Sequence, residues 1–158
     1  MTSTTPDGRR RARELVLQGL YQRQLSGNDA ALIGRQLVEQ DEAGEADRDY
    51  MHELWRGVTS DYEALVGMIA PYSSRATDQL SPIERSILAI GAWELSQRID
   101  IPYKVVINEA IDLAKDYGGT DGYRFVNGVL DKLAARLREA EIAALAREGE
   151  WRSSPSSG

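Results

Sequence analysis

Apolar residues recur along most of this chain at steps of three and four, the period of a helix that buries one face. Ala12, Leu15, Val16, Gly19 and Leu20 mark a first helix over about 9–25, with Asp7 as its cap and Gly27-Asn28 as its end. Leu32, Ile33 and Leu37 predict a short second helix over about 29–40. Met51, Leu54, Trp55, Val58, Tyr62, Leu65 and Ile69 predict a third over about 48–70, stopped by Pro71. Ser81, Pro82 and Glu84 sit at the cap, first and third positions of a capping box. The helix they open, about 82–98, is apolar around most of its circumference and so belongs at the centre. Ile101-Pro102 breaks the pattern before a fifth helix over 103–117, which Gly118-Gly119 ends. Asp121 is placed to cap a last helix over about 122–147, with Val126, Val129, Leu130, Leu133 and Leu137 inward. No stretch of period two competes, and Asn127-Gly128 falls inside a helical pattern rather than at a hairpin. The fold class is all-α, with six to seven helices.

Composition narrows the function. The chain has 158 residues, 42% of them hydrophobic and 28% charged, which suits one globular domain. Without cysteine there are no disulfides or thiolate metal sites, and with His52 as the one histidine there is no multi-histidine centre. No apolar run reaches membrane-spanning length, and the N-terminus lacks a signal core, so the expected location is cytoplasmic. The domain is expected over 9–148, with lobes of about 9–71 and 72–148 between flexible tails at 1–8 and 149–158. The stretch 39–49, with six carboxylates against one arginine, reads as a solvated connection.

Charge then changes the picture. Residues 9–13 read Arg-Arg-Arg-Ala-Arg in a chain of net charge −6. Over 9–23, five arginines stand against Glu14 alone, a local +4, so the remainder carries −10. Arginines crowd the N-terminal end of a helix, where the dipole disfavours cations, so helix stability does not account for them. Their forks suit phosphate oxygens, which makes nucleic acid the first candidate ligand. A solvated basic helix end is the plainer alternative. Arg9, Arg13, Leu17, Tyr21 and Leu25 follow one another at four-residue steps, a second, mixed face beside the Leu15/Leu20 stripe. Phe125, the one phenylalanine, falls roughly 90° from the centre of its helix's apolar stripe, beside Tyr123 and Arg124. Spacing leaves two roles for it, a stacking platform for an unpaired base or half-buried core. The Gly118–Gly122 turn lacks a Walker lysine and a preceding strand, so it is no nucleotide loop. His52 has no nucleophile near it, and Asn108-Glu109 and Asp131-Lys132 read as solvated helix positions. No catalytic residues, metal or cofactor are expected.

Several separated blocks, in order, resemble the NusB family of transcription antitermination factors. They are the Arg-rich start leading to Leu20-Tyr21-Gln22, Pro82-Ile83-Glu84-Arg85, residues 101–115 (IPYKVVINEAIDLAK), Gly118-Gly119-Thr120-Asp121, and residues 125–132 (FVNGVLDK). The resemblance runs from about 9 to 137. It implies two packed three-helix bundles and a non-catalytic RNA-binding protein. Such proteins bind boxA RNA together with NusE, a ribosomal small-subunit protein, and help RNA polymerase antitermination complexes read through ribosomal RNA operons. An acidic protein with one basic patch, completed by a basic partner, agrees with that scheme. Carried over by position, Arg9, Arg10, Arg11, Arg13, Arg124 and Phe125 form the RNA face. Asp121 lies near it, tempering affinity by its charge. Tyr21, Leu25 and Glu84 fall at positions expected to contact NusE.

Position 124 is Arg where family members often carry Lys, and residues 138–158 extend past the shared region. Arg13→Ala and Phe125→Ala are each expected to weaken RNA binding with melting nearly unchanged. Two other readings stand at this point. One is a NusB-like appendage of a ribosomal RNA methyltransferase, and the other a helical protein-interaction module whose arginines meet an acidic partner. Self-association of the free protein as a homodimer is left open by the sequence.

Overall fold

The computed structural model describes residues 6–119 and 121–153, and eight α-helices account for most of them. They are α1 (Pro6–Ser26), α2 (Ala30–Gln40), α3 (Arg48–Ser60), α4 (Tyr62–Ile69), α5 (Pro82–Gln97), α6 (Tyr103–Tyr117), α7 (Gly122–Leu137) and α8 (Glu139–Ser153). Two 3-10 turns, Ala70–Tyr72 and Thr77–Gln79, link α4 to α5. Among the described residues there is no strand, as the all-α reading requires. No described helix is long and apolar enough to cross a membrane.

α1 packs on α2 and α3, while α5, α6 and α7 pack on one another. The two groups share α5, which also lies against α1, α3 and α4. Its run Ser86–Leu95 is buried on every side, as its nearly continuous apolar pattern predicts. Buried apolar residues of both groups form one core. Close approach of helices is set in places by glycine. A Cβ on Gly57 of α3 would lie 2.1 Å from Trp93 Nε1 of α5, so only hydrogen admits the indole there.

The helix count exceeds expectation because two long helices are broken. Asp61 (φ −112°, ψ 20°) ends α3 and starts α4, and Arg138 (φ −119°, ψ 31°) separates α7 from α8. Neither break contains glycine or proline, the residues that announce one in sequence. The break at Arg138 has a tertiary cause. Its guanidinium, 3% exposed, donates to the carbonyls of Glu94, Leu95, Arg98 and Ile101, closing the end of α5. Asp7 lies inside the first turn of α1 rather than at its cap, because the helix already begins at Pro6. α8 continues helically to Ser153, past the expected tail boundary.

The capping-box expectation holds in one direction. Ser81 Oγ accepts from the Glu84 N–H at 3.1 Å, while the Glu84 carboxylate turns to Arg75 at 2.7 Å. Residues 39–49 are less solvated than their charge implies. Asp41 and Asp47 are buried, the first accepting from the N–H groups of Glu45 and Ala46, the second capping α3 at Tyr50. Gly27 (φ +71°) and Gly119 (φ +82°) follow α1 and α6 in the left-handed region, where a side chain would strain the turn.

Candidate nucleic-acid interface

The four clustered arginines of α1 have four different surroundings. Arg9 lies half-buried with its guanidinium carbon 4.9 Å from the centre of the Tyr50 ring, and its Nε is buried without a hydrogen-bond partner. Arg10 is exposed and grips Glu109 of α6 with two bonds of 3.0 Å, adding Asp112 at 3.1 Å. Hydrogen bonding to Glu109, then its charge, raises the Arg10 pKa above its ordinary value. Arg11 pairs one turn along with Glu14 at 3.1 Å.

Arg13 is the exception, and it corrects the expectation that it belongs to the exposed RNA face. It is 3% exposed, and its Nε and Nη2 hold both oxygens of Glu94, itself 1% exposed, at 2.9–3.1 Å. Burial opposes its charge, but Glu94 more than offsets that, so the guanidinium remains protonated. The Tyr50 hydroxyl donates to the same carboxylate. Burial and the Glu94 charge push the Tyr50 pKa up, which keeps that proton in place. A sequence signal for this did exist. Arg13 precedes the buried Leu20 by seven residues, about two turns, so both share one face. Glu94 is the one carboxylate in the otherwise uncharged buried run of α5, a position that demands a cation. Leu17, 1% exposed, also leaves the mixed face.

Beside Arg9 opens a pocket of about 180 Å³ between α1 and the start of α6, walled by Arg13, Asp100, Ile101, Pro102, Val105 and Glu109. Asp100 is held below the usual carboxylate range by its hydrogen bond to Arg98. α6 carries the surface onward. Lys115, one turn past Asp112, places its ammonium 5.2 Å from the centre of the Tyr123 ring at the start of α7. Arg124 is exposed, with Nε on the Tyr123 hydroxyl at 3.1 Å. Asp121 is exposed at the N-cap position of α7 but makes no side-chain cap bond. Thr120 lies outside the described residues. Phe125 meets the half-buried reading, and its ring face is occupied by an arginine rather than open. It packs on the core, yet is only partly buried, and the Arg75 guanidinium lies 4.1 Å from its ring centre.

At the opposite end of α1, Tyr21 and Leu25 are exposed, Leu25 by 65%. Gln24 between them donates to Ser86 Oγ at 2.6 Å, tying this end of α1 to the start of α5 and so to the Glu84 turn. A hollow of about 400 Å³ adjoins it, lined by residues that include Leu20, Arg23, Gln24, Asp61, Tyr62 and Glu63. Sequence reading missed Tyr50, Arg75, Glu94 and Arg98, because each acts on a residue remote in the chain.

The fold that packs α1 on a central α5 and joins it to α6 by ion pairs has known counterparts. The NusB family model matches residues 10–135. The chain belongs to the NusB family. It is 53% identical over 140 residues to the transcription antitermination protein NusB of Paraburkholderia phymatum, covering 89% of this chain and 97% of that one. The protein of the same name from Aromatoleum aromaticum is 51% identical over 136 residues, 86% of this chain and 94% of the relative. Among solved structures, T. maritima NusB is 31% identical with a TM-score of 0.73, over 85% of this chain and 94% of that one. A crystal structure of antitermination factors NusB and NusE in complex with dsRNA contains a chain with a TM-score of 0.72 at 24% identity. The match covers 82% of this chain and 98% of that one, and at that identity the likeness is one of fold.

Proposed function

We propose that this chain is a non-catalytic, RNA-binding transcription antitermination factor of the bacterial cytoplasm. With NusE it binds boxA RNA, and within the RNA polymerase antitermination complex it promotes read-through of ribosomal RNA operons. The observation that carries this reading is its identity of about half with transcription antitermination proteins, over almost their whole length.

The charge distribution supports it. Arg9, Arg10 and Arg11 are the RNA-facing side chains of α1, with Arg124 and Phe125 extending the face across α6 to α7, and Asp121 moderating it. Arg13 serves that face from beneath, by fixing α1 on α5. Tyr21, Leu25 and Glu84 receive NusE at the other end of α1. The packing of α4 on α7 supports grouping it with the second lobe and a division between lobes nearer residue 61 than 71.

The test is fluorescence anisotropy with boxA and scrambled RNA, each with and without NusE, at low and moderate salt. Tighter, boxA-selective binding in the presence of NusE is the expected result. Equal binding of both RNAs, erased by salt, would reduce the arginines to a generic basic patch.

A further inference from the structure

Arg10 is the most exposed of the clustered arginines whose partners are seen, yet the donors of its Nε and Nη2 edge are already taken. Its side chain is 48% exposed, so water could satisfy it, but instead Nε and Nη2 meet both Glu109 oxygens and Nη2 also meets Asp112. This two-oxygen grip has the shape a guanidinium makes on the two free oxygens of a phosphodiester. We propose that Glu109 and Asp112 of α6 occupy the Arg10 fork as an intramolecular substitute for phosphate, and that RNA binds by exchange with them. The inference rests on the reading that α1 faces RNA.

The surroundings make such an exchange cheap. Glu109 also lies 3.8 Å from Nη1 of Arg13, so a phosphate that takes Arg10 leaves Glu109 with a second cation beside it. Asp112, 46% exposed, returns to water. Asp7 adds a further negative charge felt by Arg10, so removing one carboxylate does not leave the guanidinium bare. Exchange also has a signature in salt dependence. Each phosphate neutralised releases a counterion, but a carboxylate set free takes one up, so the exchange at Arg10 contributes little net release.

The test compares the wild type with Glu109→Gln, Asp112→Asn and both changes in an Arg10→Ala background, by anisotropy with boxA RNA across a salt series. Glutamine keeps the shape and one acceptor of Glu109, and Asp112 sits where substitution spares the core. Each single change is expected to tighten binding at low salt by about two- to fivefold. Asp112→Asn, which removes the carboxylate that returns to water, should also steepen the slope of log affinity against log salt by up to about 0.7, the value for one phosphate on a single strand. Neither gain should survive in the Arg10→Ala background.

Weaker binding by both variants would mean that the carboxylates position Arg10 for RNA, and would overturn the exchange. So would a gain that persists without Arg10, which would come from overall charge alone. A wild type that binds no RNA would sink the functional reading along with it. A wild type that binds, with variants no tighter, would sink only the exchange.

Discussion

Replacing Glu94 by glutamine tests the buried centre on which the arginine helix is mounted. The substitution preserves shape and one acceptor, but removes the charge that three short contacts from Arg13 share with the Tyr50 hydroxyl. At 3% exposure Arg13 cannot recover the loss from water. Breaking one partner out of a buried pair costs roughly 3–5 kcal/mol, against about 0–1 for an exposed pair. For a domain of this size that lowers the melting temperature by about 6–20 °C. Urea unfolding followed by far-UV circular dichroism reads it as a lower midpoint at unchanged slope. The double variant Arg13→Met/Glu94→Leu should be more stable than either single charge deletion, because no charge is left buried alone. A Glu94→Gln cost below about 1 kcal/mol, as at the surface, would refute the buried-pair account. The same reasoning revises one expectation from sequence. Arg13→Ala must lower the melting temperature, so any loss of RNA binding it causes has to be read against the folded fraction.

Phe125→Ala should cost about half of the roughly 3–5 kcal/mol of a fully buried phenylalanine, and RNA affinity should fall even where the variant is fully folded. Unchanged affinity in thermally matched samples would make it core alone. Gly57→Ala drives a methyl group into Trp93 and should destabilise by about 1–3 kcal/mol, with red-shifted tryptophan emission as the indole is displaced. An unshifted spectrum and melting curve would contradict the close approach. Glu84→Lys sets an ammonium beside Arg75 in place of the 2.7 Å ion pair. NusE association measured by calorimetry should weaken more than RNA binding measured without NusE, and equal losses in both would remove Glu84 from the partner surface.

What could be read from sequence was whatever local chemistry announces. Ser81-Pro82 marked the start of α5 because cap and first-turn preferences act within four residues. The Gly118-Gly119 stop of α6 did so because Gly119 needs a conformation few other residues adopt. The breaks at Asp61 and Arg138 were illegible, since neither contains glycine or proline, and at Arg138 it is tertiary contact that imposes the break. The arginines show the same limit. Arg9, Arg10, Arg11 and Arg13 look equivalent as letters, and their separate roles depend on Tyr50, Glu109, Glu14 and Glu94. Three of those four partners lie more than thirty residues away on other helices, and only Glu14 is within reach of a local rule. Phe125 was read as ambiguous because it is in fact shared between core and surface.

Arg138 bears on how the chain is made. Translation delivers α1 and the end of α5 before Arg138, which follows the carbonyls that it closes by more than thirty-five positions. Two of those carbonyls, on Arg98 and Ile101, belong to the turn that walls the pocket beside Arg9. A nascent chain that has not yet released Arg138 from the ribosome therefore displays its basic helix beside a turn still without its fastener. Completion of that wall waits on a later segment of the chain rather than on the segment that forms it.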